Sequence, residues 1–235
     1  MPNRAAIITG ASSGIGEAIS RELAQHGWQL VLVARREDRL RTLAEELGAE
    51  YELCDVSKRD EVERLAQAVT GRHPQINLLV NNAGVGVGAP AGEHETRRID
   101  LQLSVNLRAI FLFYREAMEL LRAAGTEHRN ALVVNTSSIS GKSGQPWLSV
   151  YSATKAGVVG YTQAMNKELN GDGIKSVALC PGFVETAMTE FVREHVPAED
   201  MIRVEDVAEA VRFVLRTSPN CVIPEIVFQR PGEAL

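Results

Sequence analysis

Cysteine is scarce in this chain: Cys54, Cys180 and Cys221 are three in number and far apart. An odd, scattered set suits neither a disulfide framework nor a thiolate metal cluster. The five histidines show no ligand spacing, so no metal site is expected. No run reaches the ~18 apolar residues of a membrane span. The opening segment, Met1 to Gly16, lacks the apolar core of a secretory signal. Basic residues are outnumbered, 25 Lys and Arg against 30 Asp and Glu. A net charge of -5 argues against a general nucleic-acid surface but leaves room for a local basic pocket. These absences make the cytoplasm the expected setting.

What is present is ordinary globular composition, 45% hydrophobic and 23% charged. A length of 235 residues suits a single α/β domain spanning 1–235. Short β-branched runs alternate with amphipathic stretches. Strands are expected at Ala5–Thr9, Leu30–Val33, Tyr51–Cys54, Ile76–Val80, Ala131–Asn135 and Ser176–Leu179. Between them, Ile15, Ala18, Ile19 and Leu23 share one helix face. So do Leu40, Leu43, Ala44 and Leu47, and Val62, Leu65, Ala66 and Val69. Gly27, Gly48 and Gly71 each fall just past a helix, where a left-handed stop is expected. Strand–helix alternation implies a doubly wound, mostly parallel, Rossmann-like sheet covered on both faces. Cys54 and Cys180, at the ends of apolar runs, read as small buried hydrophobes. Residues 101–121 are apolar almost all the way round, from Leu101 to Tyr114 and beyond. Such a helix needs burial on two sides, against the sheet and against either a second subunit or a loop of its own chain.

Between the first strand and first helix lies Thr9-Gly10-Ala11-Ser12-Ser13-Gly14-Ile15-Gly16. Glycines there let backbone N–H groups approach a pyrophosphate at the positive end of a helix dipole, and the two serines add hydroxyl donors. The second strand ends Val33-Ala34-Arg35-Arg36, with no acid until Glu37. An acid at that place would bond a ribose 2′-hydroxyl, whereas a guanidinium suits a 2′-phosphate. NADP(H) is therefore expected over NAD(H), with Arg35 ahead of Arg36 as the contact. Two solvated arginines at a helix start would be the unremarkable reading, but they would oppose the helix dipole.

The G-x-x-x-G-x-G spacing resembles that of the short-chain dehydrogenase/reductase family. Several further motifs of that family follow in order: Asn81-Asn82-Ala83-Gly84, then Asn106, then Ser138 with Gly141 three residues on, then Tyr151-Ser152-Ala153-Thr154-Lys155, then Pro181-Gly182. The resemblance implies an enzyme that interconverts a carbonyl and an alcohol and works on a small molecule, and the apolar stretch 101–121 makes a homo-oligomer, a tetramer or a dimer, the expected assembly. It implies that Tyr151 transfers the proton, that Lys155 assists it and bonds the nicotinamide ribose, and that Ser138 holds the substrate oxygen. Asn106 would anchor a water on the proton path. Ser137 competes with Ser138, but only Ser138 completes Ser-x-x-Gly. It further implies that Asp55, with Val56, meets the adenine, and that Asn82, Ala83 and Gly84 line the cofactor. Pro181, Gly182, Val184 and Thr186 would contact the nicotinamide carboxamide, Val184 through its backbone and Thr186 through its hydroxyl. Asp55 also reads as a helix N-cap.

The chemistry asks for such a group of residues. Tyr151 and Lys155, four apart, share a helix face. A free phenol has a pKa near 10, so a phenolate at neutral pH needs help worth roughly 4 kcal/mol. Substrate choice is expected to lie in 187–200 and in the wall from Ser140 to Leu148, with Trp147 and Phe183 as apolar lining. The substrates compatible with these motifs include 3-oxoacyl-carrier-protein, hydroxy acids and other small carbonyl compounds. A nucleotide-sensing protein without chemistry would not need the phenol and ammonium. A nucleotide-sugar epimerase would bring a larger C-terminal domain than the ~50 residues after Pro181.

Overall fold

The computed structural model describes residues 4–128 and 131–232. Seven strands build one sheet: β1 (Ala5–Thr9), β2 (Gln29–Ala34), β3 (Glu50–Leu53), β4 (Leu78–Asn81), β5 (Ala131–Thr136), β6 (Ile174–Pro181) and β7 (Glu225–Phe228). Their order is β3-β2-β1-β4-β5-β6-β7, and every pair is parallel. The expected doubly wound α/β architecture is the observed one.

Side-chain parity divides the core. Ile7, Val31, Val33, Leu79 and Val133 join one apolar cluster, with α3 (Arg59–Thr70) and α5 (Ala109–His128). Ile8, Leu30, Leu32, Leu78 and Val80 join the other, with α1 (Gly14–Gln25), α2 (Glu37–Leu47) and α7 (Val204–Arg216). Strands buried on both faces read as unbroken apolar runs, which is why they are visible in the sequence. Each expected helix face points inward, with Leu40, Leu43 and Ala44 buried on α2 and Val62, Leu65 and Val69 on α3.

Some boundaries differ from expectation. The fourth strand starts at Leu78 rather than Ile76, because Ile76 bonds the carbonyl of Leu120. Asn77 lies just before it, and its side chain receives the Ala5 amide at 3.2 Å. Gly27 and Gly48 stop their helices at φ of 74° and 62°, but Gly71 keeps a right-handed φ of -69°. Its helix ends with bonds from the Gly71 and Arg72 amides, without a left-handed residue.

The largest departure is the apolar stretch at 101–121. It is not one regular helix: α4 (Thr96–Leu103) passes through a π turn at Ser104–Arg108 into α5. Most of it is buried, including Val105, Ile110, Phe113 and Tyr114, while Leu103 and Phe111 remain about 40% exposed at 42% and 39%. From Tyr114 a polar chain runs through the core. Asn81 donates to Asn135, Asn135 donates to Tyr114 and Thr162, and Tyr114 donates to Ser176, all at 2.9–3.0 Å. These bonds tie β4, β5 and β6 to α5 and to α6 (Ser149–Leu169).

Candidate active site

Strand order reverses between β1 and β4, so their C-terminal ends splay apart and open a crevice. The glycine turn sits on one lip. A methyl at Gly16 would fall 2.4 Å from the Gly10 carbonyl, so only glycine permits that approach. Thr9 braces the other lip: its hydroxyl accepts the Asn82 and Ala83 amides at 2.9 and 3.1 Å. The Asn82 side chain donates to the carbonyls of Thr9 and Gly10 and accepts from Thr136. The predicted Asn82-Ala83-Gly84 segment thus stands directly against the turn. Ile15 and Gly16 open α1 behind it.

Ser13 is the N-cap of α1, yet its side chain makes no capping bond. Its hydroxyl and that of Ser12 instead face Arg36, whose Nη2 lies 3.2 and 3.5 Å away. Arg35 lies on the Asp55 side, where its charge acts on that carboxylate. The arginine reaching the serines is therefore Arg36, while Arg35, the expected 2′-phosphate contact, lies towards Asp55. Asp55 is not a helix N-cap, because Lys58 holds that place. Its carboxylate accepts the amide and hydroxyl of Ser57 at 3.0 and 2.7 Å. Burial pushes its pKa up, but those bonds and Arg35 outweigh burial and hold it below the usual value. Val56 is buried beside it. A glycine-lined turn, two serine hydroxyls beside the start of α1 and two guanidinium groups together fit a phosphorylated dinucleotide.

The other half of the site descends from β5, β6 and α6. Ser137 is spent on the Lys155 carbonyl at 2.8 Å. Ser138 is placed otherwise: it accepts the Ser140 amide at 3.1 Å and is hydrogen-bonded to Tyr151. The two serines are thus held differently. Gly141 explains its own place in Ser-x-x-Gly, since a methyl there would come 2.6 Å from the Lys155 carbonyl carbon. Burial, the larger influence, raises the Tyr151 pKa, and the bond with Ser138 only partly offsets it. The phenol is thus held protonated. Lys155 is 3% exposed, and burial pulls its ammonium from 10.5 down to about 8. Its Nζ donates to the Thr136 carbonyl at 2.7 Å and lies 5.7 Å from the Tyr151 ring centre.

Asn106 sits inside the π turn. Its Oδ1 accepts the Val85 amide and its Nδ2 donates to the Val85 carbonyl, both at 2.8 Å, with a further bond to Thr154 at 3.2 Å. Thr154 in turn donates to the Tyr151 carbonyl at 2.7 Å. The side chain expected to anchor water is thus committed to holding a loop against the helix that carries Tyr151. Thr9 and Thr154 lie within the motifs without a role assigned from sequence, and Thr136 lies outside them. A β-branched hydroxyl at a strand end or between Tyr151 and Lys155 is their one signal.

Pro181 ends β6, its carbonyl 3.4 Å from the Ser138 hydroxyl, and the Gly182 amide bonds Phe228. The Val184 carbonyl accepts from Thr189 at 2.6 Å. Thr186 caps a short 3-10 turn, Ala187–Val192, and its methyl lies over the glycine turn: a Cβ on Gly14 would meet it at 3.0 Å. The segment after β6 therefore crosses above the glycine turn. Trp147, Met188 and Phe191 expose apolar side chains at 73%, 48% and 71%. Trp147 does so from a left-handed backbone, φ 66°, that tryptophan rarely adopts. Phe183 packs beneath Arg230 at 5.5 Å. Among the described residues no group of His, Cys, Asp and Glu is placed to hold a metal, and no helix is long and apolar enough to cross a membrane.

Comparison with known proteins agrees with this geometry. Residues 4–197 match the family model described as short chain dehydrogenase. A putative ketoacyl reductase of Streptomyces coelicolor is 42% identical over 197 residues, covering 81% of this chain and 74% of the relative. The crystal structure of an actinorhodin polyketide ketoreductase variant with NADPH is 33% identical, with a TM-score of 0.86 over 97% of both chains. That of a 3-ketoacyl-(acyl-carrier-protein) reductase from Brucella melitensis with NADH is 29% identical, with a TM-score of 0.87 over 97% of this chain and 96% of that one. This chain belongs to the short-chain dehydrogenase family of oxidoreductases.

Proposed function

We propose that this protein is an NADP(H)-dependent reductase that converts a carbonyl compound to a secondary alcohol, with Tyr151 as the proton donor. The observation that carries the reading is the meeting of a protonated, buried phenol, the Ser138 hydroxyl and the Lys155 ammonium across a crevice from the glycine turn. The nicotinamide, when bound, supplies the hydride.

The chain's own residues do the rest. Ser138 donates a hydrogen bond to the carbonyl oxygen and steadies the charge that develops there. Tyr151 Oη gives the same oxygen its proton. Lys155 favours the phenolate that remains and meets the ribose hydroxyls. Asn106 acts by fixing the Val85 loop and, through Thr154, the first turn of α6. On the cofactor side, Gly10, Ser12, Ser13, Gly14, Ile15 and Gly16 cradle the pyrophosphate, while Arg36 and Arg35 take the 2′-phosphate. Asp55 and Val56 meet the adenine; Asn82, Ala83 and Gly84 line the floor. Pro181, Gly182, Val184 and Thr186 orient the nicotinamide.

The names of the relatives put a 3-oxoacyl thioester first among the substrates to test. The exposed apolar residues Trp147, Met188 and Phe191, the last two within the proposed specificity segment 187–200, suit a substrate with an apolar portion. Leu103 and Phe111 supply an apolar face for a second copy of the chain, making a homodimer or homotetramer. Three cysteines without disulfides, two of them buried, suit the reducing cytoplasm. A screen of 3-oxoacyl thioesters, ketones and aldehydes, following NADPH and NADH absorbance, tests the reading. Turnover with NADPH supports it, and inertness towards every carbonyl refutes it.

A further inference from the structure

Successive residues of the segment Gly84-Val85-Gly86-Val87-Gly88 address two different helices. Methyl groups added at Gly84, Gly86 and Gly88 would come 3.6 Å from Lys155 Nζ, 3.7 Å from Tyr151 Cε2 and 3.4 Å from Leu148 Cδ2. These are ordinary contact distances, so the glycines hold the segment about one methyl away from the reacting face of α6. The valines between them turn their amides to the other side. Val85 N donates to Asn106 Oδ1 at 2.8 Å, and Val87 N donates to Gln102 Oε1 at 3.2 Å. Gln102 and Asn106 are four residues apart, the spacing that puts two side chains on one helix face. They form two successive rungs on which the segment hangs.

Gln102 is the rung that no motif singled out. It is fully buried, at 0% exposure. Its Nε2 finds no protein acceptor among the described residues, so within the protein its carboxamide is committed to the Val87 amide. Asn106, by contrast, also bonds Thr154 on α6. Gln102 therefore serves the loop alone.

We propose that Gln102 is a positioning residue for the reduction: by anchoring Val87 it fixes the far half of the glycine-faced segment and so sets the space beside the Tyr151 ring into which the carbonyl enters. This rests on the reductase reading above. A leucine at 102 would keep the volume but strand the Val87 amide, and the segment would drift from the gap it defines.

The test is Gln102→Leu in the full chain, read in two ways. Hydrogen exchange at the Val87 amide, followed without cofactor or substrate, is expected to speed up about tenfold, with exchange at Ser12–Gly16 unchanged. With ethyl acetoacetate as the probe, KM is expected to rise about fivefold while kcat and the KM for NADPH stay within about twofold. Gln102→Glu keeps an oxygen acceptor. Near pH 6, where burial keeps that carboxyl protonated, it is expected to restore both Val87 protection and KM. Unchanged Val87 exchange in Gln102→Leu overturns the anchor. Equal losses in Gln102→Leu and Gln102→Glu at pH 6 mean that the site needs glutamine for packing alone, and overturn it too. Should Gln102→Leu not fold, Gln102→Met, which likewise offers the Val87 amide no amide or carboxyl oxygen, is read in the same way, and unchanged Val87 protection there counts against the proposal. Because the exchange is read without turnover, inertness of the wild-type chain towards carbonyls would refute the reductase reading separately.

Discussion

The Lys155 ammonium donates to the Thr136 carbonyl at 2.7 Å, deep under the ring of Tyr151. That bond fixes where the charge sits without neutralising it, and the surrounding protein desolvates it. The lysine is thus costly to the folded chain and useful to the site, a combination common where function outweighs stability.

Removing it should show both sides. The Lys155 pKa falls from 10.5 to about 8, a difference on the order of 3 kcal/mol. Below pH 8 folded and unfolded chains both hold the proton, so the full burial cost is present. Between about pH 8 and 10.5 the unfolded chain still holds a proton the folded chain has lost, and stability rises with pH. Lys155→Met is therefore expected to raise Tm at pH 7 by a few degrees, net of the lost Thr136 bond, with the gain vanishing near pH 10.5. Its kcat/KM should fall by at least about 100-fold. Thermal melts from pH 6 to 10.5 check the sign; a destabilised variant at pH 7 would contradict it.

Cofactor choice should follow the two arginines separately. Arg36→Ala removes the guanidinium lying on Ser12 and Ser13, and is expected to raise the KM for NADPH about tenfold while sparing that for NADH. Arg35→Asp adds an acid near the ribose and should shift preference towards NADH. Paired kinetics with both cofactors decide; an unchanged ratio in both variants would remove the arginines from the account.

The phosphate turn should not tolerate a methyl. In Gly16→Ala the new carbon meets the Gly10 carbonyl at 2.4 Å, a backbone contact that cannot swing aside. Dinucleotide affinity by titration calorimetry is expected to drop more than about 100-fold, with Tm lowered by several degrees. Gly27→Ala, remote from the crevice, is the control: left-handed strain there should lower Tm but not affinity.

If a second copy covers Leu103 and Phe111, a charge there should split the assembly. Phe111→Asp is expected to sediment as a monomer where the wild-type chain sediments as a dimer or tetramer. A monomeric wild-type chain would show that this face has another use.

Much of this was legible from sequence because the sheet is buried on both faces and its helices on one. Periodicity therefore marked β1, β2, α2 and α3 plainly. The glycine turn and the Tyr151–Lys155 pair could be picked out because each is a spacing within a short local segment. What escaped was what depends on tertiary approach. The π turn at Ser104–Arg108 leaves no periodic trace, since five residues are too few to show a period of their own. Arg36 meets the serines only through the tertiary approach of the glycine turn to the end of β2. Gln102 is a polar residue in a largely apolar stretch, and Val87 meets it only in the folded chain.

The most direct measurement replaces the phenol alone. In Tyr151→Phe, single-turnover oxidation of NADPH by a carbonyl substrate of the wild-type enzyme is expected to slow by about 1,000-fold, while the Kd for NADPH stays within about threefold. Hydride transfer at near wild-type rate in that variant would contradict the account, because some other group would then be protonating the oxygen.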